Sequence, residues 1–440
     1  MSKNNFSVFI LQDGTVRTVG ANDKGQCCTG NTNTPILSIY KIPNLDNVKQ
    51  CSLGDKHTVF LLYDGTVRTV GANSKGQCGT GSTSTTQTSL YKIPNLDNVK
   101  QVACNFNTTL FLMKDGTVKA VGENNYGQCG TGDTGVQTSL YTIQGLNNVR
   151  EIACGPYHTV FILKDGTIRT LGYNINGQCL TGNTTSPQLT LYNPELNNVA
   201  HAACGLNHTV LLFNDGTIGT VGQNTHGQCA TGNTSTRILT LYKSTITNVK
   251  QISCGHEHTA VLFEDGTVRL IGRNNCSQIG NGKTAEATTY FYNPNLTNID
   301  QVVCGSYYTA FLMKDGTVKT VGSNTNGQTG NGNTNHPLRS IYTIPNLKIK
   351  TLWDLEKETV KFLIKQYSSY YTINPNYYDL EGDNFIPLEL SNGTNPNMND
   401  IINFGFTNIT DLINDMTING NTFKPINKLF STFEIKKYKY

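Results

Sequence analysis

A chain of 440 residues can hold two or three ordinary domains, or one long repeat array with an extension. Its 37% hydrophobic and 15% charged residues leave a surplus of Asn, Thr, Ser and Gly, which suits strands and tight turns and is too regularly apolar for disorder. A net charge of +4 argues against a general nucleic-acid binder, and no stretch is long and apolar enough to span a membrane as a helix.

The start of the chain, MSKNNFSVFILQDG, carries only a four-residue apolar run, too short for a signal-peptide core. Synthesis and folding in the cytoplasm are therefore expected. From this point one unit recurs. Asp-Gly pairs stand at Asp13, Asp64, Asp115, Asp165, Asp215, Asp265 and Asp315, at spacings of 51, 51, 50, 50, 50 and 50. A near-constant period of this length marks one continuous array.

The second copy shows the unit. HTVFLLYDGTVRTVG, His57 to Gly71, is two β-rich runs joined at Asp64-Gly65, a strong hairpin signal. VKQVAC, Val99 to Cys104, is the alternating run that opens the next copy, and TSLYKIP, Thr88 to Pro94, supplies a fourth strand. The glycine-rich GANSKGQCGTGST loop lies between the third and fourth strands. Four antiparallel strands per unit predict a propeller blade, and seven blades predict a closed ring. The first copy begins directly at FSVFIL and lacks an opening strand. LKIKTLW, Leu347 to Trp353, aligns with that strand in other copies. The segment Ile349 to Trp353 is therefore expected to pair with the N-terminal strand and close the ring over residues 1–353.

The hydrophobic–Asp-Gly-Thr–Val hairpin, the GxNxxGQ loop and the Cys-Gly-x-x-His-Thr stretch, as in CGPYHT at Cys154 to Thr159, resemble the repeats of the regulator of chromosome condensation family. The resemblance covers roughly residues 1–353 and implies an all-β, seven-bladed propeller. The family includes exchange factors for small GTPases, an inhibitor of β-lactamases, and bacterial and phage surface proteins, so the resemblance leaves function open.

The residue types that could carry chemistry occupy repeat positions. Cys27, Cys78, Cys129, Cys179 and Cys229 follow Gln, and Ile279 and Thr329 hold the same place in the last two copies. A thiolate ligand cannot be replaced by isoleucine, so packing is expected there. Cys104, Cys154, Cys204, Cys254 and Cys304 form a second series in which Leu53 substitutes. His57, His158, His208 and His258 share a position with Phe6, Thr108 and Tyr308, which predicts hydrogen bonding at a strand start to the neighbouring backbone. Near-identical copies place like groups around a circle, whereas catalysis needs unlike groups at one spot. No catalytic residue, metal or cofactor is expected.

Specificity belongs where the copies differ. Strand alternation places the loop after the first strand and the GxNxxGQ loop on one face of the disc, with the Asp-Gly turns and IPNLDNV connections on the other. Phe106, Tyr126, Tyr157, Tyr173 and Tyr307, with His256 and Glu257, are the candidate partner-binding residues of the first face. Beyond the array, residues 354–440 are expected to form a small α+β appendage for docking to a larger assembly. The expected role is a non-catalytic interaction scaffold for a protein or cell-surface partner, on a phage tail, baseplate or bacterial surface. The resemblance also implies two alternatives: a guanine-nucleotide exchange factor and a propeller-type enzyme inhibitor.

Overall fold

A computed structural model describes residues 2–3, 5–11, 15–33, 35–84, 86–284 and 287–349. The Asp13 turn, the closing segment beyond Ile349 and the appendage at 354–440 lie outside the described residues. Seven four-stranded antiparallel sheets follow one another along the chain, and no helix occurs among the described residues. Blade 3 is representative, with strands Val99–Cys104, Thr108–Met113, Val118–Gly122 and Gln137–Thr142.

Burial follows from place in the blade. The first strands of consecutive blades lie against one another and line the central axis. Each second strand is covered by both neighbours in its sheet and by the adjoining blades, and TTLFLM in blade 3 is buried along its whole length. The fourth strand forms the rim and stays partly exposed, as QTSLYT does. Apolar side chains of adjoining blades interleave, for example Val59 and Leu61 of blade 2 with Val102 and Phe111 of blade 3. Each such side chain contributes about 1.5–3 kcal/mol by leaving water.

The Asp-Gly turns owe their geometry to short-range hydrogen bonds. Asp115 Oδ1 accepts from the Thr117 amide at 2.8 Å and from its hydroxyl at 2.7 Å, while Gly116 takes φ +92°. The same pair of bonds recurs at Asp165, Asp215, Asp265 and Asp315, and in each case holds the carboxyl below its ordinary range.

Two polar devices join blade to blade. In the first, an amide side chain on the inner strand copies the pairing of a β-strand. Gln101 Oε1 accepts from Ile152 N at 2.9 Å and its Nε2 donates to Ile152 O at 2.9 Å. Gln50 spans to Val102 in the same way. Blade 4 carries Glu151 at this place. A carboxylate has no proton to donate, and Glu151 instead meets His201 Nδ1 at 2.8 Å.

The second device is a relay from histidine to threonine to glutamine backbone. His57 Nε2 lies 2.9 Å from Thr109 Oγ1 of the next blade, and that hydroxyl donates back to Gln77 O at 2.7 Å. Thr109 has one proton and spends it on the carbonyl, so Nε2 must carry the imidazole proton. His158, His208 and His258 repeat the pattern through Thr209, Thr259 and Thr309. The expected partner of these histidines was neighbouring backbone; the structure inserts a hydroxyl between ring and carbonyl. The ring also needs room. A Cβ added at Gly205 would lie 2.1 Å from His208 Cε1. Blade 3 has Thr108 in place of the ring, and there the preceding glycine is replaced by Asn105.

The ring closes between blades 7 and 1. Phe9 and Val19 pack with Val318, Ile344 and Leu347. Tyr308 replaces histidine in the relay and Ser7 replaces threonine. Their hydroxyls are 2.8 Å apart, and Ser7 Oγ donates to Gln328 O at 2.8 Å. One sequence expectation is corrected here. The opening strand of blade 1 is not missing from the N-terminus, because Ser2–Lys3 pairs with the next strand through Ser2↔Ser7 and Lys3↔Phe6. The expected C-terminal contribution is seen at Ile349, which bridges Leu11. The inner strand of blade 1 is thus begun by one end of the array and met at its other end by the opposite terminus.

Candidate protein-interaction face

Cysteine and histidine chemistry can be placed first. Cys27, Cys78, Cys129, Cys179 and Cys229 are fully buried, and all thirteen cysteines are free thiols. Cys78 Sγ donates to Ala72 O at 3.3 Å, and burial pushes its thiol up to about 12. Cys204, Cys254 and Cys304 each donate across to a carbonyl of the preceding blade. These are packing groups. Burial lowers His208 and His258 to about 3, which keeps them neutral and suits their part in the relay. No cluster of three or more metal-ligating side chains occurs among the described residues.

The variable loops do share one face, and the seven predicted residues come together there. Their rings form a nearly continuous chain. Tyr173 lies 4.7 Å from Tyr126, Tyr126 lies 5.2 Å from Tyr157, and Tyr157 lies 5.1 Å from Phe106, centroid to centroid. Phe106 of blade 3 then meets His256 of blade 6 at 5.6 Å, and His256 meets Tyr307 of blade 7 at 5.0 Å. Blades 3 and 6 are not neighbours, so this contact crosses the axis and covers the mouth of the channel. Most pairs are edge-to-face, the favourable arrangement for ring quadrupoles. The rings are half-buried, packed on each other at their flanks and open to solvent above.

Backbone and side-chain bonds fix the loops beneath. Phe106 N donates to Pro156 O at 3.2 Å, and Leu206 N donates to His256 O at 2.9 Å. His256 N reaches Ser306 O at 3.1 Å, and His256 Nε2 lies 2.8 Å from Ser306 Oγ. These loops therefore lean on the loop of the next blade.

Side chains on this face are arranged in facing pairs. Within a blade, the second variable residue of the first loop faces the residue at the end of the third strand. Asn107 donates to Glu123 at 3.0 Å and Asn207 to Gln223 at 3.0 Å, while Tyr157 and Tyr173 meet edge to face at 6.0 Å. In blade 6, Glu257 is buried and accepts from Arg273, whose guanidinium carbon sits 5.7 Å from the Tyr307 ring centroid. His226 Nδ1 approaches Glu257 at 3.7 Å. Glu123 and Arg273 were not among the predicted residues. They stand at the repeat position of Tyr173, and comparing that position across copies would have found both.

Residues 94–357 match the RCC1-like domain family, and residues 48–77 match the regulator of chromosome condensation (RCC1) repeat. The X-linked retinitis pigmentosa GTPase regulator of Canis lupus familiaris is 40% identical over 84 residues, 19% of this chain and 8% of that protein. The probable E3 ubiquitin-protein ligase HERC6 of Homo sapiens is 31% identical over 133 residues, 29% of this chain and 13% of that protein. The chain thus matches only a small part of the length of these curated relatives. Among solved structures, Prp20p of Saccharomyces cerevisiae shares the fold with a TM-score of 0.69 at 18% identity, covering 81% of this chain and 96% of that one. Human WBSCR16 has a TM-score of 0.68 at 20% identity, covering 75% and 94%. With a matched segment spanning more than half its length, and seven blades of the expected build, the chain belongs to the family of RCC1-like domains.

Proposed function

We propose that the chain is a non-catalytic disc that binds a protein partner through the face built from Phe106, Tyr126, Tyr157, Tyr173, His256, Glu257 and Tyr307. The observation that carries this reading is the half-buried ring chain across that face, since clustered aromatics with a fixed base are what protein interfaces favour. The repetition of like groups around the ring supports a binding role over a catalytic one. Capture of partners from the natural source by cross-linking tests it. Replacing Tyr126, Tyr157 and Tyr307 by Ala should abolish capture, whereas replacing Lys114 and Lys164 on the turn face should not. Equal capture by both variants would overturn the reading.

Two settings are proposed for such a disc. Nucleotide exchange on a small GTPase is supported by relatives whose names record a GTPase regulator and a yeast RCC1 with binding properties to Gsp1p and histones. Accelerated nucleotide release from a panel of GTPases tests it. Display on a virion or cell surface for attachment, with the segment 354–440 docking to the assembly, is supported by the style of the repeats alone. Copurification with a particle tests that setting.

A further inference from the structure

The junction of blades 6 and 7 holds a complete set of three unlike groups. The Glu257 carboxylate, the Arg273 guanidinium and the Tyr307 ring are stacked together, and the cation satisfies both of its neighbours. Blades 3 and 4 assemble the carboxylate and the rings in another way. Glu123 occupies in blade 3 the repeat position that Arg273 occupies in blade 6. Its carboxylate accepts from Asn107 Nδ2 at 3.0 Å and Asn125 Nδ2 at 2.7 Å, and among the described residues it makes no ion pair. Two amide donors orient the carboxylate without cancelling its charge.

The rings beside it see a field of one sign. Burial is the main force that raises the Tyr157 phenol, and Tyr126, Glu123, Asp55 and Tyr173 add to it. Tyr126, Tyr157 and Tyr173 lie within 6.0 Å of one another, edge to face or tilted, and each is only partly buried, which leaves ring surface open to a partner. An oriented, unpaired carboxylate beside such rings attracts a cation through both.

We infer that the sector formed by Glu123, Tyr126, Tyr157 and Tyr173 receives an arginine or lysine side chain of the bound protein. The partner there supplies in trans the positive group that Arg273 supplies within blade 6. This deepens the protein-binding reading and rests on it.

The test uses the full chain and three fluorescein-labelled nonapeptides, alternating Gly with Arg, Lys or Glu, followed by fluorescence anisotropy at low salt. The Arg and Lys probes should bind and the Glu probe should not, with binding weakening as salt rises. Glu123→Gln should weaken the Arg probe about five- to thirtyfold, the range expected for losing one cation contact at a partly desolvated site. Glu123→Arg should abolish it and admit the Glu probe. Glu264→Gln, an exposed carboxylate on the turn face, should change nothing. Equal binding of Arg and Glu probes, or equal losses from Glu123→Gln and Glu264→Gln, would overturn the inference. Partner capture that depends on the tyrosines and ignores Glu123→Gln would also sink it while leaving the protein-binding reading standing.

Discussion

The joint between blades 7 and 1 can be tested by removing its two hydroxyls separately and together. Tyr308 is fully buried, and its hydroxyl lies 2.8 Å from Ser7 Oγ and 2.9 Å from Phe6 O. Ser7 Oγ also bonds Gln328 O. Two protons therefore serve three contacts. Tyr308→Phe strips a buried carbonyl of its donor and should cost about 1–3 kcal/mol. Ser7→Ala removes the other hydroxyl and leaves Gln328 O and the phenol each short of a partner, for a similar loss. Once one hydroxyl has gone the second has less to lose, so the double variant should fall short of the sum by about 0.5–3 kcal/mol. Urea unfolding followed by far-UV circular dichroism on the four proteins gives the cycle. Single losses below about 0.5 kcal/mol, or strictly additive ones, would refute the assignment of this pair as the closing contact.

Other outcomes follow from the same geometry. Gly205→Ala should lower the melting temperature, because the added methyl collides with the His208 ring, and His208→Thr in the same chain should recover part of the loss, as Asn105 with Thr108 does in blade 3. His208 and His258 are held neutral in the fold, with values lowered from 6.5 to about 3. Only the unfolded chain takes up their protons between those limits, so the stability present above pH 6.5 should be lost as pH falls toward 3. The slope is up to about 1.4 kcal/mol per pH unit per histidine, and His258→Gln should flatten it in urea titrations at pH 7 and 5. In native protein, iodoacetamide should label the partly exposed Cys276 before any cysteine of the GQC series, as read by peptide mass spectrometry. Early labelling of Cys78 would contradict its role as filler.

Most of the blade architecture was legible because its signals are local. The Asp-Gly turn, the β-rich run of HTVFLL and the fifty-residue period all act within a few residues or repeat without gaps. The two-residue strand at Ser2–Lys3 gave no such signal. Neither residue is apolar, and its pairing depends on a turn too short to show a pattern. The candidate face was found as a set of positions, since loop residues that differ among equal copies stand out. Its internal pairing was not found. Glu123 lies sixteen residues from Asn107, across a whole hairpin, and the Phe106–His256 contact exists only because the ring curves back on itself. The first recurs at the same separation in other blades but joins two loops that no local pattern links, and the second has no counterpart in the repeat period.

Near-identical modules in tandem carry a hazard of miscounting. Any blade could in principle seat against any other, including one from a second molecule, and so give rings of six, open stacks or exchanged pairs. Four of the internal joints use imidazole and threonine, and the terminal joint alone uses phenol and serine. That difference works as an address label. It lets the last module discriminate the first from six look-alikes, so the number of blades is written into the chemistry of one seam as well as into the length of the chain.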